Sequence, residues 1–97
     1  MVNKNDIPEQ KGKIVELDGK KCCLFNDGAQ ISAFSPKCPH AACDVEWNDA
    51  AKTWDCPCHG SRYDANGNVL KGPAKLPLHK LQVELTDNDH LILHTNG

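Results

Sequence analysis

Cys38-Pro39-His40-Ala41-Ala42-Cys43 and Cys56-Pro57-Cys58-His59-Gly60-Ser61-Arg62-Tyr63-Asp64 are the two stretches that decide how this chain is read. Each offers one thiolate and one imidazole at close spacing: C-x-H, then fifteen intervening residues, then C-x-x-H. Two cysteines and two histidines can ligate a metal site. Their division between two loops lets two turns close on it from either side. Zinc is one candidate, since tetrahedral sites of two cysteines and two histidines are common. Zinc-finger spacing, however, pairs cysteine with cysteine and histidine with histidine. One of each per loop suits an asymmetric two-iron cluster, with both thiolates on one iron and both imidazoles on the other.

Around the two boxes, helix is excluded. Pro36, Pro39, Pro57 and Pro73, with Gly60, Gly67 and Gly72, punctuate residues 35–75 and leave room for no more than a turn near 49–52. Short strands fit at 53–55 and 61–64, with Asp64-Ala65-Asn66-Gly67 as a hairpin turn. On the N-terminal side, residues 13–18 alternate apolar and polar, 20–25 form a second short apolar run and 30–34 a third. Asp18-Gly19 and Asp27-Gly28 supply hairpin chemistry between them. On the C-terminal side, residues 80–86 alternate with Leu81, Val83 and Leu85 on one face. Asp87-Asn88-Asp89 turns the chain, and 90–95 is a last strand. The expected architecture is all-β: the outer segments build a base sheet, and a loop-rich insertion at about 36–75 carries the cysteines and histidines. Residues 1–11, polar and aperiodic, read as a tail or linker before a domain at 12–97.

Composition agrees with one small folded domain. The chain has 97 residues, 39% hydrophobic and 25% charged, which excludes a disordered segment. A net charge of −2 with no long run of one sign gives nucleic acid no electrostatic footprint. No apolar stretch approaches a membrane span, and the polar N-terminus lacks the apolar core of a secretory signal, so a cytoplasmic location is expected. Six cysteines are many for a reducing cytosol, and the crowding of four of them with two histidines between residues 38 and 59 favours metal chemistry over general disulfide stapling.

The two boxes resemble the cluster-binding loops of Rieske proteins. That resemblance implies a Rieske-type iron-sulfur fold, an antiparallel sheet sandwich with a cluster-binding subdomain inserted. It assigns Cys38 and Cys56 to one iron of a [2Fe-2S] cluster and His40 and His59 to the other. It also implies a disulfide between Cys43 and Cys58, as in Rieske proteins of respiratory and photosynthetic cytochrome complexes. Ser61 and Tyr63 match hydroxyls that donate hydrogen bonds to cluster sulfur and raise the potential, and Gly60 lets backbone amides approach. Gly72-Pro73-Ala74 resembles a loop that covers the cluster. With the disulfide and both hydroxyls, the expected potential lies in the upper half of the Rieske range of roughly −150 to +300 mV.

The stretch WNDAAKTWDCPCHGSRYDANGNVLKGPA, residues 47–74, resembles the C-terminal Rieske domains of bacterial FAD-dependent oxidoreductases of the D-amino-acid-oxidase type. The resemblance implies one-electron transfer with a flavin-containing redox partner, the FAD lying on a partner domain. A fragment of a quinol- or arsenite-oxidising membrane complex is the alternative, and a zinc-binding interaction module a more remote one. Outside the boxes, Cys22 and Cys23 sit side by side on a strand, so one is expected in the core and the other partly exposed. Trp47 and Trp54 are expected to pack the insertion, and His79, His90 and His94 to be surface or strand residues.

Overall fold

The computed structural model describes residues 2–37, 43–58, 60–72 and 75–94. Among these residues nine strands follow in chain order: β1 (Lys11–Leu17), β2 (Lys20–Asn26), β3 (Ile31–Phe34), β4 (Glu46–Asn48), β5 (Thr53–Asp55), β6 (Arg62–Asp64), β7 (Val69–Lys71), β8 (Lys80–Leu85) and β9 (Leu91–His94). They make two antiparallel sheets, one of order β1-β2-β3-β8-β9 and one of order β4-β5-β6-β7. The second sheet is inserted between the third and fourth strands of the first, as the sequence pattern anticipates.

Turn chemistry sets the registers. Leu17 stands opposite Lys20, and the two residues between them, Asp18 and Gly19, have φ of 52° and 79°. Positive φ at both central positions is the hairpin geometry whose twist matches the flanking strands, and Asp-Gly adopts it readily. Between β2 and β3 the Asp27 carboxylate accepts from the backbone N–H groups of Ala29 and Gln30, each at 2.8 Å. Between β6 and β7 the Asp64 carboxylate does the same for Asn66 and Asn68 at 2.9 Å, and Gly67 takes φ 84°. These side-chain caps satisfy backbone groups that the ladders leave over.

The base sheet is covered on both faces. One face carries Cys23, Phe25 and Phe34 against Val45, Trp54, Cys56, Tyr63 and Leu78 of the insertion. The other carries Cys22, Leu24 and Ala33 with Leu17, Leu91, Leu93 and Ile7. This corrects the expectation for the paired cysteines: alternation sends Cys22 and Cys23 to opposite faces, but both are 0% exposed because each face has its own cover. Burial pushes the Cys23 thiol up to about 12 and raises Cys22 as well, so both are inert core groups.

Residues 2–10, expected as a tail or linker, lie on that second face. Ile7 is fully buried, Asn3 bridges to His90, and the N–H of Leu91 donates to Val2 at 2.9 Å. A single apolar residue without periodicity gives no strand or helix signal, yet burying it contributes roughly 1.5–3 kcal/mol. Strands β4 and β7 were not anticipated either. At three residues each, they are too short for alternation to register.

The two sheets meet on bare backbone at Gly12. A Cβ there would stand 2.5 Å from Trp47 and 2.9 Å from Trp54. The two indoles lie 4.7 Å apart between centroids, and Trp47 reaches Phe25 at 5.6 Å. Lys11, next to Gly12, pairs with Asp49 in the β4–β5 turn, which Lys52 also binds at 2.9 Å. These hydrogen bonds and charges hold the Asp49 carboxyl well below the usual carboxylate range. Gly12→Ala should therefore lower stability to urea by about 1–3 kcal/mol through overpacking. Lys13→Ala, one residue on and exposed, should stay within about 0.5 kcal/mol. Equal midpoints for the two variants would show that the sheets do not meet at this glycine.

Candidate metal centre

The described ends of both boxes adjoin short antiparallel ladders. Below the first, Lys37 bridges to Asp44, and the Val45 N–H donates to the Pro36 carbonyl at 2.8 Å. Below the second, the β5–β6 ladder pairs Asp55 with Arg62 and runs one step further, the Cys56 N–H donating to the Ser61 carbonyl at 2.8 Å. The Gly60 N–H then donates back to the Cys56 carbonyl at 3.0 Å, closing the tip. Gly60 takes φ 76° there, a conformation that a side chain would strain.

A disulfide joins the two boxes. Cys43 and Cys58 are bonded, with Cα atoms 6.3 Å apart. In the chain-entropy account, a crosslink over a loop of this length is worth about 3 kcal/mol, largely by restricting the unfolded chain. It also consumes two of the four thiols in the boxes.

Cys56 is the one described thiol of the boxes that stays free. It is 2% exposed and belongs to the core cluster with Trp54, Tyr63 and Val45. Its position is stiffened from the strand before it. Asp55 accepts from Thr53 Oγ1 at 2.7 Å and from Asn48 Nδ2 at 3.0 Å, and its other neighbour is Arg62 at 3.4 Å. Burial pushes the Asp55 carboxyl up, but these donors and the guanidinium outweigh it and hold the group below its ordinary value. Ser61 and Tyr63 are both 0% exposed, one in the loop beyond the tip and one on β6 opposite Trp54. Leu78, which the sequence pattern did not single out, anchors the chain beyond the Gly72-Pro73-Ala74 segment. It is 3% exposed, and its N–H donates to the Gly67 carbonyl at 2.8 Å.

Cys38, His40, His59, Pro73 and Ala74 lie outside the described residues. Among the described residues no three His, Cys, Asp or Glu side chains converge on a metal position. The donor set that remains fits a cluster held by thiolate and imidazole. Cys56 is buried, free and fixed at a turn, while Cys43 and Cys58 are removed from ligation by their bond. Cys22 and Cys23 are removed by burial in the base sheet. His79 and His94 are exposed, His94 lying 3.6 Å from Glu84, and His90 is half-buried.

Comparison with known proteins agrees with this geometry. The family model described as the Rieske [2Fe-2S] domain matches residues 1–83. A Bacillus subtilis chain named as a Rieske 2Fe-2S iron-sulfur protein, YhfW, is 41% identical over 80 residues, which cover 81% of this chain and 16% of that one. The cytochrome b6-f complex iron-sulfur subunit of Chlorobaculum tepidum is 37% identical over 83 residues, covering 86% and 46%. The crystal structure of the plasma membrane Rieske protein PetC3 from Synechocystis superposes with a TM-score of 0.73 at 30% identity, covering 87% of this chain and 86% of that one. The chain thus spans less than half the length of both curated relatives, and no helix among its described residues is long and apolar enough to cross a membrane. Two antiparallel sheets, the inserted disulfide-tied loops and these matches together make the chain a member of the Rieske [2Fe-2S] domain family.

Proposed function

We propose that this chain is the one-electron-transfer domain of a larger flavin-dependent oxidoreductase, its cluster held by Cys38 and Cys56 on one iron and His40 and His59 on the other. The observation that carries the ligand set is the pair of ladder tips tied by the Cys43–Cys58 disulfide, with the free, buried Cys56 at the foot of one tip. When bound, a [2Fe-2S] cluster of this ligation takes up and releases one electron at a potential of roughly −150 to +300 mV.

The chain's own residues set where in that range it works. The Cys43–Cys58 bond fixes the spacing of the two loops, so that accepting an electron need not reorganise them. The buried hydroxyls of Ser61 and Tyr63 supply donors on the Cys56 side of the site. A donor beside developing negative charge favours the reduced state, and the low dielectric of a buried position strengthens it. The insertion's packing on Phe25, Phe34 and Leu78 keeps water from the protein side of the loops.

The flavin partner, with FAD on another domain, is supported by two things. One is the resemblance of residues 47–74 to the Rieske domains of flavin-dependent oxidoreductases. The other is the Bacillus relative, most of whose length lies outside the matched segment. A second reading, a subunit of a quinol-oxidising cytochrome complex, is favoured by the identity to the cytochrome b6-f subunits. The gene separates them. An in-frame flavin-binding domain upstream of Met1 is expected, and a stop codon there beside a cytochrome b gene would overturn the flavin reading.

The cluster itself is tested on the purified protein. Two irons per chain, a brown colour and a paramagnetic signal on one-electron reduction are expected, all lost in Cys56→Ser. One zinc per colourless chain would sink the proposal. The hydroxyls are tested by redox titration of Ser61→Ala and Tyr63→Phe. A hydrogen bond to a charged group is worth about 1.5–3 kcal/mol, and 59 mV is a tenfold change in a one-electron equilibrium. Each variant should therefore fall below the parent midpoint by about 65–130 mV, with cluster content unchanged. Midpoints equal to the parent's would reduce both residues to packing.

A further inference from the structure

A groove of about 860 Å³ runs beside the foot of the first loop. Its lining includes Lys20, Lys21, Lys37 and Lys80, with the half-buried Leu81 and the buried Leu93 between. All four lysines are exposed, and none forms an ion pair with a described residue. His79 and His94 extend the same wall, His94 facing Glu84 at 3.6 Å, and Asp44 is the one carboxylate among the described lining residues. The chain as a whole has 11 Lys and Arg against 13 Asp and Glu. Four lysines against one carboxylate therefore concentrate positive charge on a molecule that is negative overall.

The charge is assembled from three separate places. Lys20 and Lys21 open β2 after the first hairpin turn, Lys37 stands at the foot of the first loop, and Lys80 opens β8. Lys37 and Asp44 form the backbone bridge that carries that loop, and Lys37 directly precedes Cys38. The groove thus reaches the described foot of that loop, at Lys37 and Asp44.

We infer that this groove is the docking surface for the protein that exchanges electrons with the chain, and that the partner presents a carboxylate-rich face to it. The assignment builds on the electron-transfer role proposed above and adds the partner's chemistry and landing site. Lysine ammonium groups on flexible stems give no fixed fork for one small anion. Spread around an open groove with apolar lining, they match instead a protein face, where charge steers the encounter and apolar contact sets the fit. Redox partners meet through small, short-lived interfaces of this kind.

The test uses the cluster-loaded protein in its oxidised state, mixed by stopped flow with reduced flavodoxin, an acidic flavoprotein. Each productive encounter passes one electron from the reduced flavin to the oxidised chain. Reduced lumiflavin, small and at most singly charged, is the parallel reductant. The rate with flavodoxin should fall about tenfold or more between about 20 and 500 mM salt. Lys21→Glu and Lys80→Glu should each lower the low-salt rate about threefold and flatten its salt dependence, leaving the lumiflavin rate unchanged. Lys13→Glu, exposed on β1 outside the groove, makes the same change of net charge and should stay within about 1.5-fold. Equal losses from Lys13→Glu and the groove variants, or a salt-independent rate, would overturn the assignment. So would groove variants that keep the flavodoxin rate and lose binding only to phosphatidylglycerol vesicles. A parent protein that lumiflavin cannot reduce would sink the electron-transfer role itself, and the docking surface with it.

Discussion

The two segments that carry the cysteine–histidine boxes start from short ladders and are held at a fixed separation. The Cys43–Cys58 bond is what imposes it. Neither loop could do so alone. The first rests on one backbone bridge, Lys37 to Asp44, and the second on a hairpin of three-residue strands. Short ladders of this kind are marginal in isolation. Crosslinked and packed through Val45, Trp54 and Tyr63 onto the base sheet, they become one body. The remaining structure follows from that need. The base sheet is the platform, Gly12 lets the two indoles lie directly on it, and Leu78 returns the chain to the core after the insertion.

Features whose physics is local were legible in the sequence. The turns at Asp18-Gly19, Asp27-Gly28 and Asp64–Gly67 declare themselves because a carboxylate capping its own backbone and a residue tolerant of positive φ are properties of two or three residues. The longer strands follow from alternation. What stayed hidden depends on distant partners. Strands β4 and β7 exist because β5 and β6 offer them edges. Ile7 is buried because the second face of the base sheet needs a cover, and nothing in MVNKNDIPEQ announces that. The same cover hides Cys22, which alternation alone would leave partly exposed.

The site was legible for a different reason. The spacing of cysteine and histidine narrowed the chemistry but left zinc and iron both open. The resemblance of the surrounding box, down to Ser61 and Tyr63, chose between them. The structure supplies what neither spacing nor resemblance contains: the depth of Cys56, the closure of its loop by Gly60, and the hydrogen bonds from Thr53 and Asn48 that stiffen Asp55 beside it.

Six cysteines in a small chain pose a problem of selection, since a thiol-hungry cluster could be misassembled on the wrong sulfurs. The fold sorts five of them by environment. Cys43 and Cys58 are bonded to each other. Cys22 and Cys23 are locked on β2 between packed faces, where desolvation opposes the thiolate that ligation requires. Their side chains leave the sheet on opposite faces, so they cannot act as a pair. Cys56 differs in place: it is buried against the insertion's core at the point where a ladder ends, with a turn directly beyond it. A free thiol fixed by the core beside a turn is what the proposed ligand role asks of it.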